Sequence, residues 1–174
     1  CNAAITNRVE LGSSIINYIG HAGEVGWAGE RILTNEDIFS WRNSPKLHLM
    51  ITASCEFSRF DDHTRTSAGE YVFLNHHGGA IAMMTTARVT FASPNYELMK
   101  LLYEHLFDME GGEFITMGDI YLHAKQVGDI NSKGAALQMA HEECSRHSLH
   151  GKPAEAPQQP HASQLSCHSF ISLH

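Results

Sequence analysis

The chain has 174 residues, of which 43% are hydrophobic. This is enough for one α/β domain with a hydrophobic core, but not for two domains that each have a core of sufficient size. Its formal net charge of −7 and a pI near 6.0 argue against general nucleic-acid binding, because no basic stripe is present to neutralise phosphates. No apolar run approaches the roughly 18 residues that a membrane-spanning helix requires. The four scattered cysteines form no CxxC pair and indicate neither a disulfide framework nor a zinc knuckle.

The first predicted element is a strand over residues 14–19, which runs directly into a glycine, His21 and a turn of small residues. A short helix is predicted next, capped by Thr34 or Asn35 and ended by Pro45. This order of strand and helix is the beginning of an alternating α/β pattern.

Two further strands are predicted at residues 47–54 and 80–87. Like the first, they are nearly continuous apolar runs, which are typical of strands covered on both faces in a parallel sheet. The helix between them is predicted to begin after Ser67, which can form a capping box with Glu70, and to end at the glycine pair 78–79.

Two more helices follow the third strand. One is predicted to open at Ser93 with Pro94 in its first position, and the other at Thr116, which Asp119 follows three residues later. The alternation of strands and helices predicts a three-layer α/β fold with a mainly parallel sheet.

The composition changes after about residue 131, where histidine and proline become frequent and large apolar residues become rare. We therefore expect an ordered domain over residues 1–131 and a poorly ordered or atypical tail over 132–174. Within the tail, a short helix is expected around residues 135–144.

The tail also carries four potential metal ligands at three-residue steps: His141, Cys144, His147 and His150. Three-residue steps drift around a helix, and the whole segment is rich in histidine, so we predict no metal site and no cofactor. A zinc-binding module stays an alternative, which a chelator would test through its effect on stability.

His21 and Cys55 directly follow the ends of the first two strands. Ligands of open parallel sheets bind beyond the carboxyl ends of the strands, so these side chains would converge if the strands are neighbours. Taken singly, each residue is more often structural than catalytic. Together they predict a dyad in which Cys55 attacks a carbonyl and His21 handles protons, while the amides of Ala22 and Cys55 hold the oxyanion.

Charged residues follow Cys55 directly, and a solvated loop is their default interpretation. Their position also makes contact with a substrate feasible, and Glu56 and Asp61 are the candidates. Asp61 or Asp62 could attract a basic side chain of the substrate.

Three blocks carry a resemblance to a known family: NYIGHAGEVGWAGERILTNEDI, LMITASCEFSRFDD and TSAGEYVFLNHHGGAIAMMTTARVTFASPNYELM. They cover about residues 14–128 and resemble the gingipain-type cysteine peptidases, most of all the C-terminal sortases of the type IX secretion system. The resemblance implies a caspase-like fold, incomplete at its N-terminus, with the family's catalytic residues at His21 and Cys55. It also implies that Thr86 and Phe91 help to shape the specificity pocket.

The same resemblance implies a cysteine endopeptidase or sortase that removes C-terminal sorting domains from secreted proteins. Its partners would be those proteins, surface lipopolysaccharide as an acyl acceptor, and other type IX secretion components. The implied location is the cell surface or outer membrane of a Bacteroidetes-like bacterium. Two alternatives stay open: a plain secreted gingipain-like endopeptidase, and a non-catalytic pseudo-peptidase module of the secretion machinery.

Two features depart from the family pattern. Ala22 stands where the family usually has glycine after the histidine, and it would strain the oxyanion hole if the position required a positive φ. The acidic residue that orients the histidine lies well upstream in the family. We therefore expect that residue outside this chain, which resembles part of a catalytic domain.

Overall fold

The computed structural model describes residues 1–127, 137–141 and 169–171. Its elements in chain order are α1 (Asn2–Leu11), β1 (Ile15–Ile19), β2 (Ala22–Gly23), β3 (Gly26–Trp27), β4 (Leu33–Thr34), α2 (Asn35–Ser40), β5 (His48–Ala53), α3 (Ala68–Phe73), β6 (Ala80–Thr86), α4 (Ala92–His105), β7 (Met109–Glu110), β8 (Glu113–Phe114), α5 (Met117–Val127), β9 (Leu137–His141) and β10 (Ser169–Ile171). No helix in these ranges is long and apolar enough to cross a lipid bilayer.

The strands form one main sheet and two small ones. The main sheet has the order β1-β5-β6-β9-β10, in which β1, β5 and β6 run parallel while β9 and β10 join antiparallel. The small sheets are β2-β3-β4, which follows β1, and the β7-β8 hairpin. The three apolar runs of the sequence are the three parallel strands, and their predicted bounds are correct to one residue.

Alternate residues of the two central strands face two separate cores. Met50 and Met83 pack into a cluster that α1, α2 and α3 complete, whereas Ile51 and Met84 pack with α4 and α5. All four side chains are fully buried or nearly so. The predicted three-layer α/β arrangement is therefore confirmed.

β1 is less covered than the sequence predicts. It lies at one end of the main sheet in the part of the chain that the structure describes, and Ile19 is 55% exposed. Ile16 packs against one core and Ile15 against the other, but both are only partly buried. An apolar run does not distinguish an edge strand from a central one, so coverage of both faces was the wrong expectation for β1.

Capping interactions start the helices where the sequence predicts. α2 begins after Thr34, and α3 begins after Ser67, whose hydroxyl accepts from the Glu70 N–H while the Glu70 carboxylate accepts from the Ser67 N–H. α5 begins after Thr116, whose hydroxyl accepts from the Asp119 N–H at 3.2 Å. These short polar side chains satisfy N–H groups that the first helical turn leaves without partners.

Two helix ends differ from the prediction. α4 starts after Phe91 rather than at Ser93. α3 ends at Phe73 instead of reaching the glycine pair 78–79. The cause is Asn75, whose side-chain oxygen accepts from the His77 N–H at 2.9 Å and so turns the chain before the helix can continue.

The expected short helix around residues 135–144 is also wrong where the structure describes it. Residues 137–141 form β9, which pairs with β6. Pairing with the edge of a sheet here outweighs local helix propensity. Residues 169–171, also in the predicted tail, form β10 on the other side of β9. The other residues of the tail lie outside the described ranges, so the boundary at residue 131 stays a prediction.

Candidate active site

The two candidate catalytic residues follow neighbouring strands. β1 and β5 pair in parallel, with Ile19 opposite Ala53. His21 and Cys55 each lie two residues beyond these partners, so both leave the sheet at the same edge and at the same level. The backbone therefore provides the adjacency that a dyad requires.

The main chain of His21 is held by two hydrogen bonds to its carbonyl oxygen. The Ala28 N–H donates at 2.7 Å and the Tyr18 hydroxyl at 2.9 Å, and the Tyr18 ring stacks on Trp27. A Cβ at Gly20 would lie 2.6 Å from the Tyr18 hydroxyl oxygen, so a larger residue there would displace the Tyr18 ring. His21 itself is exposed, and a well-fixed main chain thus presents its side chain at the surface.

Ala22 opens β2 and lies opposite Trp27 of β3. Across the described ranges, the residues other than glycine with a positive φ are Ala28, Arg31 and Glu56. The backbone of Ala22 is therefore outside the left-handed region, and alanine causes no strain at the position where the family usually has glycine. A role for its amide in an oxyanion hole stays a prediction.

Cys55 is half-buried, and its thiol contacts Thr90 in the loop after β6. The Thr90 N–H donates to Cys55 Sγ at 3.5 Å, and the Thr90 carbonyl and hydroxyl oxygens each lie 3.8 Å from the sulfur. The main chain of Thr90 therefore holds the Cys55 side chain in place from both its N–H and its carbonyl oxygen. The sequence does not indicate this role for Thr90, because 35 residues separate it from Cys55 and no motif marks it.

The turn that carries Cys55 is held against the end of β6. The Glu56 N–H donates to the Arg88 carbonyl at 3.2 Å, and the Ser58 N–H donates to the Thr86 carbonyl at 2.9 Å. Glu56 has a φ of 52°, a left-handed conformation that is uncommon for a residue with a side chain. Backbone strain of this kind clusters at functional turns.

Arg59 connects this turn with the hairpin that follows His21. Its Nη1 atom lies 3.1 Å from a carboxylate oxygen of Glu56 and 3.4 Å from one of Glu24. Glu24 lies three residues after His21, in the turn between β2 and β3, and no sequence pattern marks its contact with Arg59. Glu56, a predicted substrate contact, is therefore ion-paired within the chain.

The other predicted substrate contacts occupy three different environments. Arg88 donates two hydrogen bonds to the Asp61 carboxylate, one of them at 2.8 Å, and this contact is the main cause that lowers the pKa of Asp61. Thr86 is buried, and its hydroxyl donates to the Ser54 carbonyl. Phe91 is 66% exposed at the start of α4. Contact of these residues with a substrate stays a prediction.

Within the described ranges, no group of three or more His, Cys, Asp or Glu side chains is arranged to hold a metal ion. His141 lies in β9, whereas Cys144, His147 and His150 lie outside these ranges. The expectation that this histidine-rich segment binds no metal therefore stays a prediction.

The chain has relatives in sequence and in fold. The family model described as peptidase family C25 matches residues 1–156. Among solved structures, the chain is similar to the Arg-specific cysteine proteinase gingipain R (RgpB), with 17% identity and a TM-score of 0.59 over 78% of this chain and 34% of that one. It is also similar to the complex of the Porphyromonas gingivalis RgpB pro- and mature domains, with 16% identity, a TM-score of 0.62, and coverage of 78% and 35%. No curated protein matches the chain.

A third solved structure, described only as that of a protease, has 26% identity and a TM-score of 0.47 over 51% of this chain and 20% of that one. The chain thus spans between 20% and 35% of the length of these three solved chains. The likeness to the two RgpB structures is one of fold, and it confirms the predicted caspase-like α/β architecture.

Proposed function

This chain belongs to peptidase family C25, and from that premise we propose that it carries the reacting pair of a cysteine peptidase. Cys55 is the nucleophile and His21 is the general base. The observation that supports this most is the parallel pairing of β1 with β5, since it brings both residues to one edge of one sheet. The Thr90 N–H supports it further, because its contact with Cys55 Sγ fixes the position of the sulfur at that edge.

The proposed reaction begins when His21 takes the proton of the Cys55 thiol and the sulfur attacks the carbonyl carbon of a peptide bond. The N–H groups of Ala22 and Cys55 stabilise the oxyanion that forms. Among the described residues, no hydrogen bond engages the Cys55 N–H, which leaves it available. Collapse breaks the C–N bond, His21 returns its proton to the leaving amine, and a thioester remains.

The acceptor of this thioester decides the outcome. Water yields hydrolysis, as in a plain secreted endopeptidase, whereas an amine forms a new amide bond. We propose the second outcome in the whole enzyme, because the three sequence blocks resemble PorU, the C-terminal sortase of the type IX secretion system. Its substrates would be secreted proteins with C-terminal sorting domains, its acceptor surface lipopolysaccharide, and its location the cell surface or outer membrane.

Arginine specificity, the property that the name of RgpB states, is not part of this proposal. The two acidic candidates near Cys55 are both paired with arginines of this chain, Glu56 with Arg59 and Asp61 with Arg88. A substrate arginine would have to displace one of these internal partners. The exposed ring of Phe91 instead favours an apolar substrate side chain.

A peptidyl acyloxymethyl ketone, which alkylates activated cysteines, tests the proposed pair. We expect selective labelling of Cys55 near neutral pH, located by mass spectrometry of the digested protein, and its loss in His21→Ala. Cys1 is an exposed thiol of the same chain and serves as the internal control. Labelling of Cys55 no faster than Cys1, and unchanged in His21→Ala, would support the pseudo-peptidase alternative instead.

A further inference from the structure

The three charged residues of the Glu24–Arg59–Glu56 bridge differ in burial. The Glu24 side chain is only 10% exposed, compared with 28% for Glu56 and 40% for Arg59. Glu24 Oε2 is buried and makes no hydrogen bond with any described residue. Exposed ion pairs contribute little, but a carboxylate so far from water depends strongly on its counter-charge. The positive charge of Arg59 therefore stabilises the Glu24 carboxylate more than the 40% exposure of the Arg59 side chain suggests.

Main-chain hydrogen bonds anchor both ends of the bridge. The Ala68 N–H donates to the Glu24 carbonyl at 2.7 Å, and the Arg59 N–H approaches the Glu56 carbonyl at 3.3 Å. Glu56 directly follows Cys55, and the Glu24 turn belongs to the hairpin that begins after His21. A shift of the bridge would therefore move the imidazole relative to the thiol. A misplacement of about 1 Å is enough to lower an enzymatic rate on the order of 100-fold.

We propose that Arg59 is a positioning residue that sets the geometry between His21 and Cys55. It does so by holding Glu24 and Glu56 with one nitrogen atom. This inference rests on the proposed function of the pair, and it adds a residue that acts through other side chains rather than on the substrate. Because one nitrogen makes both contacts, its positive charge matters more than the planar shape of the guanidinium.

The test is the pH dependence of Cys55 alkylation by chloroacetamide, a small uncharged reagent that needs no binding pocket, in the 174-residue chain. We expect Arg59→Met to move the profile toward that of His21→Ala and to slow alkylation at neutral pH at least about 10-fold. Arg59→Lys keeps the charge and should stay within about threefold of the wild type. A loss of stability alone would lower the melting temperature without changing the shape of the pH profile.

The matched control is Arg31→Met, which applies the same substitution to an exposed ion pair. Arg31 lies 3.9 Å from Glu36, and the two side chains are 74% and 78% exposed. This variant should keep the wild-type profile. Glu24→Gln breaks the bridge from the hairpin side and should shift the pH profile in the same way as Arg59→Met. If Arg59→Met does not fold, Glu24→Gln alone tests the proposal.

The outcomes separate the two hypotheses. A wild-type profile in both Arg59→Met and Glu24→Gln would overturn the positioning role and leave the reacting pair intact. A wild-type protein whose profile already equals that of His21→Ala would overturn the proposed pair itself. A shifted profile in both bridge variants, with Arg31→Met unchanged, would establish the positioning role.

Discussion

His48 is a buried base at the start of β5. Its side chain is fully buried in β5, and neither ring nitrogen makes a hydrogen bond within the described part of the chain. Trp41 meets the imidazole ring edge-on, with 5.9 Å between the centroids. Burial disfavours the charged imidazolium and lowers the pKa of His48 to about 4, from an ordinary value of 6.5. His48 is therefore neutral in the folded protein at neutral pH.

The buried His48 predicts a specific loss of stability in acid. The unfolded chain binds a proton at His48 as the pH falls below about 6.5, whereas the folded chain resists it until about 4, so stability is lost across that window. The free energy of unfolding should fall by about 3 kcal/mol from this group alone. Urea unfolding at several pH values measures it. His48→Leu should reduce the change in the free energy of unfolding between pH 6.5 and 4, whereas His76→Gln, at an exposed position, should leave this change as it is in the wild type. The same change in wild type and His48→Leu would contradict the prediction.

Thr86, the last residue of β6, supports the turn that carries Cys55, because its buried hydroxyl donates to the carbonyl of Ser54. Thr86→Val keeps the shape of the side chain but leaves that carbonyl without its donor. We expect a loss of about 1–2 kcal/mol in the free energy of unfolding and slower labelling of Cys55. Thr64→Val, at an exposed hydroxyl that bonds only to Asp62 among the described residues, is the control. Labelling of Thr86→Val at the wild-type rate would show that this bond does not position Cys55.

At the scale of single residues, the sequence pattern predicts His21 and Cys55 because each follows an apolar run that ends at a strand terminus. It does not predict Thr90 or Glu24. Each of these meets its partner across 35 residues of chain, and only the folded sheet brings the segments together. Local patterns carry information about neighbours in sequence, and such contacts lie beyond that range.

Among the elements, α3 has the most direct connection to the candidate site. Its first turn packs on the segment after Cys55: the Gly69 N–H donates to the Phe57 carbonyl at 2.8 Å. A Cβ at position 69 would lie only 1.7 Å from Ser58 Oγ, so a larger residue would push the two segments apart. The cap that begins α3 is therefore also a support for the site.

Ser67→Ala tests this cap. Ser67 is fully buried and Glu70 nearly so, so the substitution also removes a donor from a buried carboxylate. We expect a loss of about 2 kcal/mol in the free energy of unfolding, more than the roughly 1 kcal/mol typical of an exposed cap. Thr116→Ala at the exposed start of α5 provides that comparison in denaturant titrations. Equal losses in the two variants would show that burial adds nothing to the Ser67 cap.

The elements that the sequence predicts are those with a strong local signal. Long apolar runs mark the parallel strands, and capping residues mark the starts of α2, α3 and α5. The β2-β3-β4 sheet consists of two-residue strands, which are too short for any periodicity to be recognised. α1 buries only Val9 completely, and its amphipathic pattern is too weak to predict a helix from the sequence.

Across the whole molecule, the main sheet separates two hydrophobic cores. Ile38 of α2 is fully buried in one, and Leu102 of α4 is fully buried in the other. We expect Ile38→Val to cost about 0.5–1.5 kcal/mol and Leu102→Ala about 2–5 kcal/mol. Because the two side chains belong to separate clusters among the described residues, the effects should add within about 0.5 kcal/mol in the double variant, measured by denaturant unfolding. A larger deviation would mean that the sheet couples the two cores.

At this scale the sequence predicts the layered architecture, since alternating strands and helices leave few other arrangements. It does not predict the order of the strands beyond neighbours in the chain. The position of β1 at the end of the sheet, as far as the described strands extend, depends on contacts between distant segments. The pairing of β9 with β6 does so as well. The composition of β1 is as apolar as that of β5, so composition alone could not separate them.

The end position of β1 gives the two reacting residues different mechanical supports. Cys55 follows β5, which has a neighbour on each side, whereas His21 follows β1, which has a neighbour on one side among the described strands. Amide hydrogen–deuterium exchange should therefore be faster along Ile15–Ile19 than along His48–Ala53. Equal protection of the two strands would refute this difference. If exchange is faster along β1, Cys55 is attached to a rigid strand, whereas His21 can adjust its position to each substrate through local opening of β1.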